Sequence, residues 1–459
     1  MGTPDIVFFV LAGVAPMGAV VALVTLAIAV GNGAGVPGTY VVAGVVLALF
    51  SAGYVQMSRR MVNVGGFYSY AREGLGLHAG GAAAYIALLS YNAAVVGIFG
   101  SLAYFASTII TGFGWAISWQ ACAIVAFILV AVLSYFEVTL SAKVLGLLLA
   151  AEVATLLVFN VAVLVNDGFH GFSLSVFAPS VVFGAGFGVS LMFAFGSFVG
   201  FEATALYGEE ARNPRRTVPR ATYISLAIIT AFYIVTSWAA LAAEGVKKAQ
   251  GVAQADLASG KTYMFEASGA LMGPAYTDVL EALVITSLFA ALLAFHANTA
   301  RYHVALARDG LLPRIFARTH PRHGSPVAAS ALQLTLLAVV TIAFTSAGQD
   351  PYLGMGISLY SLGVLGIVVL QAIAAVSIVS YFIRHRDSES IATSIVAPAL
   401  GGLGLIGGVV LMVSNYSTLT LGSAHWTTTL PWLLPIVAAA GAIAAQVGRV
   451  GNASTEDHC

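Results

Sequence analysis

The sequence predicts an all-α polytopic membrane protein with about 12 transmembrane helices, and three observations carry that prediction. Hydrophobic residues make up 59% of the 459 and charged residues 8%, roughly a third of the charge of an average soluble domain. No charged residue occurs between Ile6 and Arg59, which leaves room for two spans of about 20 residues each. The apolar runs are continuous and do not alternate every second residue, which excludes an outer-membrane barrel. Mean hydropathy is +0.94.

The first two segments, about 6–31 and 39–58, fill the uncharged stretch. The next three lie at about 80–111, 117–136 and 142–166, with short links between them. The sixth, about 183–207, is unusual: glycines interrupt it, it carries Glu202, and it runs into the basic, proline-containing stretch Arg212 to Arg220. In that stretch Pro214 and Pro219 are read as ending one helix and starting the next. The seventh, about 218–243, precedes a polar stretch at 244–275 that is expected to hold a short external helix or loop. The last five lie at about 276–303, 326–346, 355–383, 392–414 and 430–448.

Orientation follows from Lys and Arg. With the N-terminus in the cytoplasm, Arg59, Arg60, Arg72, Lys143, Arg212, Arg215, Arg216, Arg220, Arg301, Arg308, Arg314, Arg318, Arg322, Arg384, Arg386 and Arg449 all lie inside. Only Lys247, Lys248 and Lys261 lie outside, all in the one long loop. Sixteen against three supports a multi-pass protein of the plasma (cytoplasmic) membrane with both termini cytoplasmic. The first apolar run lacks a preceding basic region and is too long for a cleavable leader, so it is expected to remain as a span. Net charge is zero and gives no reason to expect a nucleic-acid partner. Cys122 and Cys459 are not expected to pair, and no metal-ligand spacing exists.

Two spans read as broken. The first contains Gly13-Val14-Ala15-Pro16-Met17-Gly18-Ala19, where Pro16 lacks an amide proton for the helix ladder. The sixth contains Gly196 and Gly200. They stand five spans apart, an odd number, so the second copy crosses the membrane in the opposite sense. That is the pattern of an inverted-topology repeat whose broken helices meet at the midplane. The alternative reading is close packing, since small residues let membrane helices approach. The division is one transport domain, 1–458, with repeats at 6–166 and 183–383 and two further helices at 392–448.

The residues then resemble a family. Phe198-Val199-Gly200-Phe201-Glu202, followed by Glu209-Glu210-Ala211-Arg212-Asn213-Pro214-Arg215-Arg216-Thr217-Val218-Pro219-Arg220-Ala221, resembles the sixth helix and following loop of amino acid permeases of the amino acid–polyamine–organocation superfamily. Gly65-Gly66-Phe67-Tyr68-Ser69-Tyr70 with Gly74-Leu75-Gly76 is similar to the family's loop after helix two, and Arg301 to Pro313 to its loop after helix eight. The resemblance covers essentially the whole chain in order and spacing. It implies a LeuT-like fold of two inverted five-helix repeats plus two C-terminal helices. It also implies that the breaks in helices one and six bind the α-carboxylate and α-amino group of an amino acid.

The candidate substrate-binding residues are Ala15, Met17, Gly18, Ala19, Tyr91, Asn92, Gly196, Ser197, Phe198, Gly200 and Phe201. The amides of Met17, Gly18 and Ala19 are the expected donors, since Pro16 supplies none and half-helix ends offer free N–H groups. Gly196 is often bulky or aromatic in the family, so a glycine leaves more room, with Phe198 and Phe201 as the alternative aromatic wall. Glu152 and Glu202 are the candidates for proton or cation coupling, because a carboxylate at membrane depth is costly and usually functional. Glu152 lies about 13 Å into helix five, counting 1.5 Å per residue from Lys143. In some relatives a lysine near this point is thought to replace a sodium ion between helices one, five and eight. For each of these a packing, capping or purely structural role is the plainer alternative.

Other polar residues draw plainer readings. Asp278 and Glu281 are expected at the outer vestibule, Glu137 at the inner interface, and His296 in helix packing, with Ser287 and Asn298 on the same helix. Tyr360 and Ser361 are weaker gate candidates. Glu209 and Glu210 belong to the mixed-charge inner loop. Gly184 to Gly188 is not a nucleotide fingerprint, because no βαβ unit follows; with no Walker motif, ATP-driven transport is not expected.

The function expected is a secondary active transporter that moves an amino acid by alternating access, proton-coupled or by exchange, in the lipid bilayer as a monomer or homodimer. Its partners are the amino acid or amine and a proton or counter-substrate; no cofactor and no enzymatic activity are expected. The alternatives are a polyamine or organic-cation carrier and a non-transporting membrane receptor on the same fold.

Overall fold

The computed structural model describes residues 1–61, 66–136, 142–202, 204, 211–320, 324–385, 390–420 and 425–456. Gly65, Glu137, Glu209, Glu210, Arg322, Arg386 and Cys459, all singled out in the sequence, lie outside the described residues, as do the side chains of Lys143 and Arg449. The described residues are predominantly helical, with no strand among them.

The first span is built in pieces: α1 (Thr3–Val14), then α2 (Pro16–Ala19), a π turn (Val20–Val24) and α3 (Thr25–Val30). There follow α4 (Val36–Arg60), the short α5 (Gly66–Leu75), α6 (Leu77–Gly112), α7 (Trp119–Tyr135), α8 (Ala142–Gly171) and a single turn, α9 (Pro179–Val182). The second half begins with α10 (Phe187–Phe198) and α11 (Pro214–Glu244). It continues with α12 (Ala249–Ala258), α13 (Tyr263–Met272), α14 (Pro274–Arg308), α15 (Val327–Ser346) and α16 (Ser358–Arg384). The chain closes with α17 (Ala397–Ser414), a turn at α18 (Tyr416–Leu419) and α19 (Leu433–Glu456).

Ten helical stretches among the described residues are long and apolar enough to cross a membrane, and two shorter apolar helices are α7 and α10. These twelve coincide with the twelve apolar segments of the sequence. The chain is a multi-pass all-α membrane protein. Two local expectations need correcting. The stretch after the seventh span holds two short helices, α12 and α13, where one helix or loop was expected. Pro214 starts α11, as expected, but Pro219 lies inside it, and α10 closes at Phe198, well before either proline.

Burial separates an inner bundle from an outer shell. The most apolar windows of the first span, α6 and the helix ending in α16 are 72–78% buried, whereas those of α8, α15 and the last span are 22–28% buried. The inner helices approach closely because glycines sit at their crossing. A side chain at Gly97 of α6 would meet the Tyr360 backbone, and one at Gly363 of α16 would meet Ala94 and Ser90 of α6. Small residues at a crossing are how membrane helices gain van der Waals contact without a hydrophobic driving force. At the far end of the first span, α12 lies over α3: Gln250 donates to the Gly31 carbonyl (3.1 Å) and Gln254 to that of Ala29 (2.9 Å). These bonds satisfy carbonyls that the helix end leaves without partners.

Candidate functional site

The first break is a backbone event at one residue. Ala15 adopts φ 50°, ψ 69°, the one positive φ outside glycine among the described residues. The cause is local: the ring of Pro16 disfavours a helical conformation at the residue before it, and Pro16 then starts the second half-helix, where its missing N–H costs nothing. A left-handed alanine costs roughly 1–2 kcal/mol, which the packing around it must offset.

The second break follows α10. Val199 turns out of the helix (φ −59°, ψ 129°) and Gly200 adopts φ +112°. The two breaks lie side by side: a Cβ on Gly200 would lie 3.7 Å from the Gly13 carbonyl carbon and from a Val14 methyl. Glu202 closes the second break. Its carboxylate accepts from the Gly200 amide (2.9 Å) and from the Tyr91 hydroxyl (3.2 Å), and its carbonyl accepts from the Tyr54 hydroxyl (2.5 Å).

Glu152 performs a parallel task at the first break. It is buried on α8, and Oε2 accepts from the Met17 amide (3.3 Å) and the Ser287 hydroxyl (2.8 Å). Ser287 Oγ in turn accepts from the Gly18 amide (3.2 Å). The carboxylate therefore sits between the first span, α8 and α14, as the family resemblance implies for this point. The same bonds correct another expectation. The amides of Met17 and Gly18 are taken by Glu152 and Ser287, and that of Ala19 donates to the Ala15 carbonyl (3.0 Å). None of the three stands free for a carboxylate in this conformation.

A cavity of about 40 Å³ lies between the breaks. Ala15, Gly18 and Ala19 line it, as does Val199 from the second break. Further wall comes from the first span (Val14, Ala22, Leu23), α6 (Ile98, Ser101), α14 (Leu288, Ala291, Phe295) and the start of the tenth span (Ile357, Tyr360). A second cavity of about 70 Å³ adjoins it, with Gly13 and Phe295 common to both. Tyr91, Gly200, Glu202, Asn298 and Tyr302 line the second.

The other predicted residues point elsewhere. Met17 is fully buried and lines neither cavity. Asn92 donates to the Leu88 carbonyl (2.7 Å) and pairs with His303 Nε2 (3.0 Å). The Ser197 hydroxyl donates to the Phe193 carbonyl (2.9 Å) and pairs with Tyr40 (2.8 Å). Phe198 packs against Tyr40 and Tyr233, and Phe201 is wholly buried, so neither forms an aromatic wall. The room that Gly196 leaves is filled: Tyr360 lies over it and donates to its carbonyl (2.9 Å). The aromatic wall is Tyr360 and Phe295. His296 bonds Gln333 of α15, consistent with packing; Asp278 is exposed and Glu281 half-buried, and neither lines either cavity.

Sequence reasoning missed Ile98, Leu288, Ala291, Phe295 and Ile357. A usable signal did exist on α14. Ser287, Ala291, Phe295, Asn298 and Tyr302 recur at four, four, three and four residues, so they form one face. That face runs from the Glu152 bond through both cavities. A third cavity of about 420 Å³ opens at the arginine-rich end, lined by Tyr68, Arg72, Arg301, Arg308 and Asp309. Tyr68 donates to Asp309 (2.8 Å), and its ring meets Tyr302 edge-on at 5.6 Å, which closes the floor of the second cavity. Burial and the neighbouring Asp309 carboxylate raise the Tyr68 pKa, so the phenol stays protonated and keeps donating.

Comparison with known proteins identifies a family. Residues 2–440 match the family model described as amino acid permease. Similar proteins include the vacuolar cationic amino acid transporter 4 of Arabidopsis thaliana, 28% identical over 68% of this chain and 53% of that protein. Human cationic amino acid transporter 4 is 30% identical over 39% of this chain and 27% of its own length. The branched-chain amino acid permease BcaP of Bacillus subtilis is 24% identical over 55% of this chain and 49% of that protein. The matched region spans about half the length of the plant and Bacillus relatives and about a quarter of the human one.

Proposed function

The chain belongs to the amino acid permease family, and from that premise we propose that it is a secondary active transporter, not an enzyme, that moves an amino acid across the cytoplasmic membrane by alternating access. One observation carries the reading: two half-helix breaks from spans one and six lie side by side at Gly13 and Gly200, and a cavity lies between them. Irregular backbone at membrane depth is tolerated where protein or a cavity receives it, and paired breaks at a repeat interface form substrate sites. The two five-helix repeats, 6–166 and 183–383, are part of this proposal, with 392–448 as the flanking pair.

Ala15, Gly18 and Ala19 form the substrate-facing side of the first break, and Val199 and Gly200 that of the second. Substrate entry exchanges some of the internal bonds at Met17 and Gly18 for bonds to the α-carboxylate. Glu152 is the group best placed to feel that exchange, because one of its oxygens holds both the Met17 amide and Ser287. We assign it the coupling role, with a proton or a counter-substrate as the second partner. Glu202 holds the second break. The arginine-rich end faces the cytoplasm by the charge asymmetry.

The test is reconstitution. Protein in liposomes should accumulate at least one amino acid under an inward proton gradient or against a counter-substrate load. No uptake of any amino acid under either condition defeats the proposal.

A further inference from the structure

Among the described residues, the wall of the cavity between the breaks carries no carboxylate. We propose that this site takes an amino acid with a small, uncharged, apolar side chain, and that it discriminates against lysine, arginine and other cationic substrates. This rests on the reading of the chain as an amino acid transporter and adds the substrate class.

The part of the cavity wall outside the first and sixth spans is Ile98, Ser101, Leu288, Ala291, Phe295 and Ile357, with the ring of Tyr360. Two side-chain hydroxyls reach this wall, and both already donate to backbone: Ser101 to the Gly97 carbonyl (3.0 Å) and Tyr360 to the Gly196 carbonyl (2.9 Å). An apolar side chain placed here gains from leaving water, roughly fourfold in affinity per buried methylene until the space is full. An ammonium or guanidinium placed here is buried without a counter-charge, which is strongly unfavourable.

The two buried acids near the breaks do not supply that charge. Glu152 lies outside the lining, bonded to Met17 and Ser287. Glu202 belongs to the adjoining cavity, beyond Gly13 and Phe295, and its oxygens accept from Gly200 and Tyr91. Glu202 is thus reached only through the adjoining cavity, past the shared Gly13 and Phe295. Size points the same way. A cavity of about 40 Å³ compares with about 10–15 Å³ for a single water, so the site favours short side chains over long ones.

The test offers labelled alanine, valine, leucine, lysine, arginine and putrescine, each in turn, to liposomes holding the full chain and loaded with the same unlabelled compound. Alanine, valine or leucine should enter with an apparent affinity at least tenfold better than lysine or arginine. Lysine or arginine entering equally well overturns the substrate class and leaves the transporter reading intact. Entry of putrescine alone, or of none of the six, overturns the substrate class; the transporter reading falls only if no amino acid of any class enters under a proton gradient or a counter-load. Ala291→Val narrows the cavity and should reduce leucine uptake at least fivefold more than alanine uptake. An equal reduction of the two places side-chain selection outside this cavity.

Discussion

Glu152 of α8 and Ser287 of α14 share a hydrogen bond of 2.8 Å, and together they hold the two amides that begin the second half of the first span. A buried carboxylate is costly at membrane depth, and here it has three elements of the fold converging on it. If it carries the coupling charge, Glu152→Gln should retain exchange of labelled for unlabelled substrate and lose accumulation driven by a proton gradient. Retained gradient-driven accumulation would remove Glu152 from the coupling role. Glu152→Ala should also destabilise the protein by about 1–3 kcal/mol, because buried donors lose their acceptor; thermal unfolding in detergent reads this.

Gly200 should tolerate no side chain, for a reason of backbone and not of space. A Cβ there meets nothing closer than 3.7 Å, but φ is +112°. Gly200→Ala should therefore cost about 1–3 kcal/mol from strain alone. A lowered melting temperature with weakened uptake is the expected result, and a melting temperature equal to wild type would contradict the strained geometry.

Tyr360 should matter through its ring and its hydroxyl separately. Tyr360→Phe keeps the cavity wall and removes the bond to the Gly196 carbonyl. The expected loss is about 1 kcal/mol, or about fivefold in apparent substrate affinity. Tyr360→Ala opens the wall and should lose far more. Equal effects of the two substitutions would show that the ring contributes nothing.

The Tyr68–Asp309 bond should keep the arginine-rich end closed. Tyr68→Phe removes it and leaves the Tyr302 contact. A cysteine placed at Asn298 in the second cavity, in a chain lacking Cys122 and Cys459, should then be alkylated several-fold faster by an impermeant reagent from that side. An unchanged rate would separate this bond from closure.

Much of the fold was legible because a bilayer imposes a length. Each span needs about 20 apolar residues, and twelve such runs stand out between charged or polar links. The breaks were legible for the same kind of reason: Pro16 and Gly200 do locally what few other residues do. The cavity wall was not. Ile98, Leu288 and Ala291 are apolar residues in apolar helices, and nothing in a single sequence separates a wall of a site from a packing surface. The direction of a side chain was equally hidden: Phe198 and Phe201 stand beside the second break and turn into the core. Tyr360 supplies the ring from a helix far along the chain. The amides of Met17 and Gly18 were identified as donors, but which acceptors hold them depends on α8 and α14, which only tertiary packing brings there.

The central claim is that an amino acid crosses through the space between the two breaks, and uptake of labelled alanine into liposomes tests it most directly, with wild type beside Ala291→Phe. Ala291 is buried and lines that space, so a phenyl ring there fills it. Wild type should take up alanine against a counter-load, and Ala291→Phe, folded as judged by its melting transition, should fall to the level of empty liposomes. Uptake by Ala291→Phe at the wild-type rate would contradict the account.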